Sequence, residues 1–415
     1  MMRFLHLADL HFGKSIHGVS LLEKGDQGFW VDRFLERAEE LRPDAVLIAG
    51  DVYDRSAPSG EAVELMSRML TALAERGIPV MLVAGNHDSV QRLSFARPLL
   101  EREGLHISPA LSGSPELSRV VLHDAYGPVT FWLLPYVYPA LIAQALGEES
   151  FRDSDTALRA LLARQPVDFA QRNVLIAHQN VTAGGVEAQR GGSESMVGGV
   201  GQIDYSAFDG FDYVALGHIH AACPVGRESV RYAGSPLCYH FDETRQPGKG
   251  PLLVELGAKG DAPRIERQRL EPLHPLRELR GSYEELRDAV LADPRRGEYL
   301  RLVLTDRRVD PEIAGFFRGV FESRDSILME LDSEYTPFHA ATAGLSTRAV
   351  KEKSVEELFA DFYTARSGGV PPTERDMELL HDAGERMRAA DVHAMPKAEE
   401  IAGFLDFLAE QEGRT

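Results

Sequence analysis

Five short motifs in the sequence carry side chains that bind transition-metal ions. They are Asp9-x-His11, Gly50-Asp51-x-x-Asp54, Gly85-Asn86-His87-Asp88, His178-Gln179-Asn180 and Gly217-His218-x-His220. Carboxylates, imidazoles and an amide oxygen form a mixed ligand set. Such a set suits Mn²⁺, Fe²⁺ or Zn²⁺ and disfavours a thiolate site or an all-oxygen calcium site. The motifs therefore predict a metal centre.

The number of candidate ligands indicates what the metal centre does. Seven side chains qualify: Asp9, His11, Asp51, Asn86, His178, His218 and His220. Seven ligands exceed what one ion with an open position needs, and they suit two ions about 3.5–4 Å apart, a spacing used in phosphoester displacement. One carboxylate is expected to bridge both ions, and a bridging water would lose a proton readily and act as the nucleophile. A lone Asp-x-His pair is usually a surface turn, but five such motifs in order are hard to explain that way.

Short apolar runs of four or five residues precede the motifs and predict strands that are buried on both faces. Intervening segments such as Phe29–Leu41 and Ala62–Arg76 are typical of helices, so an α/β layered fold is expected. If the strands are parallel, the ligands gather beyond their carboxyl ends in one crevice. The candidate strands are Arg3–Leu7, Ala45–Ala49, Val80–Ala84, Thr130–Leu134, Val174–Ala177, Tyr213–Leu216 and Leu252–Leu256.

Two local features predict how the ligands are presented. Gly50, Gly85 and Gly217 precede ligands, and glycine allows a sharp turn just past a strand end. If the chain is extended in the Asp-x-His and His-x-His pairs, both side chains of a pair lie on one face and reach the metals together.

The chain has 415 residues, which predicts two or three domains. We place a boundary at the prolines 272 and 275, so that residues 1–275 form the catalytic domain. A compact βαβ-type module of residues 276–340 follows, with helices near Tyr283–Leu291 and Pro311–Phe321 and strands at Tyr299–Leu304 and Ile327–Leu331. Residues 341–415 are polar and are predicted to be helical, with a capping box at Ser354 and Glu357.

Composition limits the classes of function. The formal net charge is −19, which argues against free-standing nonspecific binding to nucleic acid, although a basic strip or a partner subunit could still supply the charge. Cys223 and Cys238 form no zinc spacing and are expected to be reduced. A charge at Arg3 precedes any signal-peptide region, and no stretch approaches the roughly 20 apolar residues of a membrane span. We therefore expect a cytoplasmic protein.

The five motifs together resemble the signature of the calcineurin-like metallophosphoesterases. Within that superfamily the sequence is similar to the SbcD family, the nuclease subunits of bacterial SbcCD complexes. Segments that carry this closer resemblance are Ala8 to Lys14, Ala49 to Arg55, Ala84 to Val90, Ala215 to His220, Val230 to Pro236, Phe241-Asp242-Glu243 and Ser354 to Phe359.

The resemblance implies a role for each site residue. One ion would be held by Asp9, His11, Asp51 and His220, and the other by Asp51, Asn86, His178 and His218, with Asp51 bridging. His87 would not bind metal but would lie over the scissile phosphate, stabilise charge and protonate the leaving oxygen. Asp54 would orient His87. Two Mn²⁺ ions are the expected cofactors.

The resemblance also implies an architecture and an activity. The fold would be a four-layer α/β/β/α domain with a small α+β capping domain that positions DNA and a helical C-terminal tail. The tail would bind an SbcC-like coiled-coil ATPase of the ABC/SMC type, and the protein would form a homodimer within a heterotetramer, with Leu93–Leu100 as a candidate interface. The expected activity is 3′-to-5′ double-strand exonuclease and hairpin endonuclease in DNA repair and recombination.

Two alternatives remain open at this point. The same seven ligands would serve a stand-alone metallophosphatase or a cyclic-nucleotide phosphodiesterase, although the roughly 140 residues beyond the catalytic domain favour the nuclease. A non-catalytic scaffold would have no chemical need for the complete ligand set or for His87.

Overall fold

The computed structural model describes residues 1–111, 114–187, 201–245, 248–335, 360, 363–364 and 371–378. The chain divides into two compact units, Met1–Tyr335 and Thr336–Thr415. The predicted helical tail, including its capping box at Ser354, lies almost entirely outside the described residues. Within the described part of the chain, no helix is long and apolar enough to span a membrane.

The described strands and helices all belong to the first unit, apart from helical residues at 360, 363–364 and 374–378. The strands are β1 (Met2–Leu7), β2 (Ser15–Ile16), β3 (Val19–Ser20), β4 (Ala45–Ala49), β5 (Val80–Val83), β6 (Leu105–Ile107), β7 (Ser118–Asp124), β8 (Gly127–Leu134), β9 (Arg172–His178), β10 (Val181–Ala183), β11 (Val186–Glu187), β12 (Ile203–Asp204), β13 (Tyr213–Gly217), β14 (Pro224–Val225), β15 (Arg227–Tyr232), β16 (Leu252–Leu256), β17 (Arg264–Arg267), β18 (Leu276–Gly281), β19 (Tyr299–Leu304) and β20 (Ile327–Ser333). The helices are α1 (Asp26–Leu41), α2 (Gly60–Glu75), α3 (Val90–Leu93), α4 (Arg97–Leu100), α5 (Pro139–Leu146), α6 (Ser154–Ala163), α7 (Tyr283–Ala292) and α8 (Pro311–Glu322).

Two six-stranded sheets form the centre of the first unit. One has the order β17-β16-β1-β4-β5-β6, in which β1, β4, β5 and β6 are parallel. The other has the order β14-β15-β13-β9-β8-β7, in which β8, β9, β13 and β15 are parallel. All seven predicted strands are confirmed, but they are distributed over two sheets.

The two sheets pack face to face, and each carries helices on its outer face. Phe4, Phe131 and Tyr213 meet between the sheets, with ring centroids 5.7 Å and 5.5 Å from that of Phe4. Helices α1 and α2 pack on the outer face of the first sheet, and α5 and α6 on that of the second. Because each central strand is covered on both faces, its side chains are mostly apolar. The predicted α/β/β/α layering is confirmed.

A buried histidine joins the two sheets just below their carboxyl ends. His6 Nε2 donates to the Leu216 carbonyl at 3.2 Å, so its Nδ1 accepts from the Tyr213 hydroxyl at 3.0 Å. Burial lowers the pKa of His6 to about 3, so the ring is neutral at physiological pH. The strands that lead to Asp9 and to His218 are thereby fixed to each other.

Residues 276–333 form a small layer of three parallel strands, β18-β19-β20, with α7 and α8 on one face. The two helices and strands predicted here are confirmed, whereas β18 was not predicted. Asp26 at the start of α1 connects this layer to the sheets, since it accepts from the Tyr299 hydroxyl at 2.7 Å and lies 2.9 Å from His274 Nδ1. The layer is therefore held to the helix that covers the first sheet.

Candidate metal centre

The metal-binding motifs follow the carboxyl ends of neighbouring parallel strands. Asp9 and His11 come after β1, Asp51 after β4, and Asn86 after β5 in the first sheet. In the second sheet, His178 is the last residue of β9, and the segment with His218 and His220 follows β13. The five loops meet where the two sheets abut, so both sheets contribute to the single crevice that the sequence predicts.

The three glycines that precede ligands are needed mainly because a side chain at these positions would clash with a neighbouring loop. Only Gly50 has a left-handed φ, of +85°. A Cβ at Gly85 would lie 2.1 Å from Asp51 Oδ1, and one at Gly217 would lie 1.9 Å from the Ala49 carbonyl oxygen. The predicted sharp turn therefore applies to Gly50, while the other two positions allow close approach of neighbouring loops.

The ligand loops are not extended, contrary to expectation. Asp9, His11, Asp51 and His218 have φ values of +54°, +42°, +49° and +111°, which non-glycine residues seldom adopt. Such backbone strain clusters at functional sites, where the surrounding fold maintains it. Here these turns bring side chains of successive motifs inward together.

Asp9, His11 and His220 form the first group of candidate ligands, which we call the buried half-site. Their ligand atoms lie within 4.8 Å of one another, and their exposed fractions are 0%, 2% and 3%. His11 Nε2 lies 3.2 Å from His220 Nε2, so two ring nitrogens point at one place. Burial raises the pKa of Asp9 to about 7, because a carboxylate without a cation is costly there.

Asn86, His178 and His218 form the second group, which we call the open half-site. Asn86 Oδ1 lies 3.0 Å from His178 Nε2 and 3.1 Å from His218 Nδ1. His178 Nδ1 donates to the Ala49 carbonyl at 2.8 Å, which directs Nε2 toward the other ligands. Asn86 is exposed and His218 is half-buried, so this half-site is accessible to solvent.

Asp51 lies between the two half-sites. Its Oδ2 is 3.6 Å from His11 Nε2 and 3.4 Å from His178 Nε2. Burial alone would lower the pKa of His178, but the Asp51 and Asp9 carboxylates and the Ala49 carbonyl together outweigh burial and raise the pKa to about 9. His178 likewise holds the pKa of Asp51 well below its usual range despite burial. The environment therefore favours positive charge beside Asp51, as a cation site requires.

His87 lies beside the half-sites, and Asp54 contacts it in an unexpected way. His87 Nδ1 donates to the backbone carbonyl of Asp54 at 2.8 Å. The Asp54 carboxylate instead accepts from Lys14 Nζ at 2.7 Å. Asp54 thus contacts His87 through its backbone carbonyl, whereas its carboxylate, which was expected to orient His87, pairs with Lys14. With Nδ1 occupied, the Nε2 atom of His87 is left to face a substrate.

Several residues that support the ligands were missed in the sequence. Asp88 accepts from the backbone N–H groups of Val52, Tyr53 and Gly85 at 2.9–3.1 Å and so joins two ligand loops. Its place in the Asn-His-Asp motif was a usable signal. Gln27 donates to the His11 carbonyl at 2.8 Å, and no local pattern marks this residue.

Further support for the buried half-site comes from residues 235–249. The Tyr239 hydroxyl donates to the Leu10 carbonyl at 2.6 Å, and its ring contacts those of His11 and His220. Glu243 Oε1 lies 3.5 Å from His220 Nδ1. Burial would raise the pKa of Glu243, but His220 and the Lys249 ammonium outweigh burial and lower it to about 2. Glu243 is therefore a charged carboxylate directly behind a candidate ligand.

Comparison with known proteins identifies two family segments. Residues 2–222 match the calcineurin-like phosphoesterase family. Residues 272–367 match the family described as type 5 capsule protein repressor C-terminal domain. The chain also overlaps the crystal structure of TT1561 of Thermus thermophilus over 64% of its length and 98% of that chain, at 12% identity and a TM-score of 0.36, a similarity too low to support any inference.

Two curated relatives are similar over most of the chain, and both are named as the SbcD subunit of the nuclease SbcCD. The protein of Staphylococcus saprophyticus is 31% identical over 315 residues, which are 73% of this chain and 78% of the relative. That of Staphylococcus epidermidis is 30% identical over 312 residues, 74% and 79% respectively. The chain therefore belongs to the calcineurin-like phosphoesterases, which are metal-dependent enzymes, and within them to the SbcD family of nuclease subunits.

Proposed function

We propose that this protein is the dinuclear-metal nuclease subunit of an SbcCD-type complex, which hydrolyses phosphodiester bonds at DNA ends and hairpins. The observation that carries the proposal is the convergence of seven ligand-type side chains, with Asp51 in the middle, 3.6 Å from His11 and 3.4 Å from His178. The relatives named as nucleases support DNA as the substrate. The specific activities proposed are 3′-to-5′ double-strand exonuclease and hairpin endonuclease in repair and recombination.

The residues present fit two divalent cations, which we propose to be Mn²⁺. Asp9, His11 and His220 would hold one ion, and Asn86, His178 and His218 the other, with Asp51 shared. The pairing of imidazole nitrogens with carboxylate and amide oxygens suits this metal. Two such ions supply Lewis acidity to the phosphodiester and lower the pKa of water.

The proposed role of His87 follows from its hydrogen bond and its position. Its Nδ1–H is fixed by the Asp54 carbonyl, and its ring lies edge-on to His11 with centroids 4.9 Å apart. A protonated Nε2 would stabilise charge on the phosphate and deliver its proton to the leaving oxygen. Lys14, which pairs with the Asp54 carboxylate, adds positive charge next to Asp54.

The remaining parts of the chain have proposed partners. We assign residues 1–275 to catalysis, 276–340 to a cap that positions DNA, and 341–415 to binding of a coiled-coil ATPase of the ABC/SMC type. The relatives are named as one subunit of SbcCD, which supports the presence of a second. Phe95 and Leu99, which are 79% and 61% exposed around α4, support pairing of two copies through this segment.

An assay on DNA ends tests the proposal. The full chain with Mn²⁺, with and without its ATPase partner, is expected to shorten linear duplexes from the 3′ end and to open hairpins. Chelation of the metal should stop both reactions. Efficient cleavage of small phosphoesters or cyclic nucleotides, with DNA ends and hairpins left intact under the same conditions, would contradict it and would favour the stand-alone phosphoesterase.

A further inference from the structure

A buried carboxylate stands behind one candidate ligand of the buried half-site. Glu243 lies in a 3₁₀ turn at Phe241–Arg245 and is 1% exposed. Its Oε1 faces His220 Nδ1 at 3.5 Å. We propose that Glu243 is a positioning residue that fixes which ring nitrogen His220 offers to the metal and makes that nitrogen a stronger ligand. The inference rests on the proposed function only in assuming that His220 binds an ion.

The second oxygen of Glu243 is bound on the side away from the His220 ring. Lys249 Nζ donates to Oε2 at 2.7 Å. Ser235 Oγ lies 3.2 Å from the same atom, and its hydroxyl has a closer acceptor in the Leu237 carbonyl at 2.8 Å. Both partners are themselves held, because Lys249 also donates to Ser235 Oγ at 2.9 Å. The carboxylate therefore has little freedom to turn away from His220.

The same lysine fixes the main chain of the ligand. Lys249 Nζ donates to the His220 carbonyl at 2.8 Å. Glu243 thus faces the ring of His220 while Lys249 holds its backbone, and the two are bound to each other. A ligand held at both ends loses little freedom when it binds an ion, which favours tight binding.

The orientation of the ring follows from the nature of the two groups. A carboxylate accepts hydrogen bonds, so it favours the tautomer of His220 that carries hydrogen on Nδ1. The lone pair then resides on Nε2, which points toward His11 Nε2 at 3.2 Å. Hydrogen bonding to a carboxylate also increases the basicity of the imidazole. The 3.5 Å separation between Glu243 Oε1 and His220 Nδ1 is at the upper limit for a hydrogen bond, and such bonds commonly shorten when the site is loaded.

The open half-site provides an internal comparison. His178 also has a fixed ring, but its Nδ1 donates to a neutral carbonyl, that of Ala49, at 2.8 Å. A carbonyl selects the tautomer without placing a full negative charge behind the ring. Glu243 should therefore strengthen the binding of the ion at the buried half-site and leave the other ion nearly unchanged.

The variant Glu243→Gln tests the assignment in the full-length protein. Mn²⁺ binding is measured by titration with electron paramagnetic resonance, which counts bound and free ions. The wild type is expected to bind two ions. In the variant one ion should bind about 10–100-fold more weakly, the range found for outer-shell partners of metal ligands, while the affinity for the other ion stays the same. Glu298→Gln is the matched control, since Glu298 is also a buried carboxylate in an ion pair, with Arg277, but lies in the β18–β20 layer.

A second measurement decides the matter even if Glu243→Gln does not fold. Nitrogen-15 spectra of the histidine rings in the metal-free wild type report which nitrogen of His220 carries hydrogen. Hydrogen on Nδ1 supports the proposal, and hydrogen on Nε2 overturns it. Equal weakening of both ions, or a lower melting temperature with unchanged affinity for both, would also overturn it, because either result describes a merely structural residue. A wild type that binds two ions but leaves DNA intact would contradict the proposed function and not this inference.

Discussion

The two half-sites contain similar ligands but are constructed differently. In the buried half-site all three ligands are almost inaccessible, and Gln27, Tyr239 and Glu243 hold them from parts of the chain distant in sequence. In the open half-site Asn86 is exposed, and the ring of His178 rests on a backbone carbonyl. From this contrast we propose a division of labour: one ion would be retained by a rigid, enclosed site, and the other would lie where solvent and substrate enter.

The largest expected effect is a loss of activity on replacement of His87, which lies outside both half-sites. Replacing it with Asn should lower kcat about 10²–10⁴-fold, the usual contribution of a general acid. Since His87 Nδ1 contacts only the Asp54 carbonyl among the described polar groups, both ions should still bind. Metal titration of the variant checks this. Loss of an ion would place His87 among the ligands, and unchanged turnover would remove it from the chemistry.

The variants His220→Ala and His218→Ala test whether the two half-sites differ in their affinity for metal. Each variant removes one imidazole, but from different half-sites. His220→Ala should lower the affinity for the tightly held ion by more than the roughly 100-fold expected for an outer-shell partner. His218→Ala should leave the affinity for that ion unchanged and weaken only the binding of the ion at the open half-site. Calorimetric titration with Mn²⁺ distinguishes them, and identical binding curves for the two variants would refute the division between half-sites.

The smallest expected effect is that of the metal on the stability of the fold. An ion that binds only the folded state stabilises it by about 2.7 kcal/mol when its concentration is 100 times Kd. The melting temperature of the metal-free protein should therefore rise by several degrees on addition of Mn²⁺, in two steps, with the buried half-site filling first. We expect the carboxylates of Asp9 and Asp51 to contribute most of this gain, since both are buried and their ligand atoms lie within 4.8 Å of each other. A single step at stoichiometric Mn²⁺ would indicate equivalent half-sites.

The ligands and their strands could be predicted because both are local patterns. Each ligand follows a short apolar run, and the runs at β4 and β16 have the bounds that the sequence indicates. The layered fold follows from strands that alternate with amphipathic helices. Strand β18 was missed because its sequence, Leu276 to Gly281, is interrupted by charged residues and lacks a continuous apolar run.

The residues that hold the candidate ligands in place could not be predicted, because these contacts join segments that are far apart in sequence. Glu243 acts on His220 only because the 3₁₀ turn that follows β15 folds back toward the loop after β13. The segment Phe241-Asp242-Glu243 carries part of the family resemblance, but its sequence does not indicate this contact. Similarly, Lys14 and Asp54 are 40 residues apart in sequence yet form an ion pair, which removes the Asp54 carboxylate from His87. Strand-end motifs identify the candidate metal ligands, whereas tertiary contacts determine how firmly each side chain is held.

The most direct test of a shared Asp51 is a crystal structure of the protein with Mn²⁺, with the ions located by anomalous scattering. We predict two peaks about 3.5–4 Å apart, both contacting the Asp51 carboxylate, one with Asp9, His11 and His220 and the other with Asn86, His178 and His218. His11, Asp54 and His87 also bring ligand atoms within 4.8 Å of one another. A single peak, or a peak held by Asp54 and His87 in place of Asp51, would contradict the account.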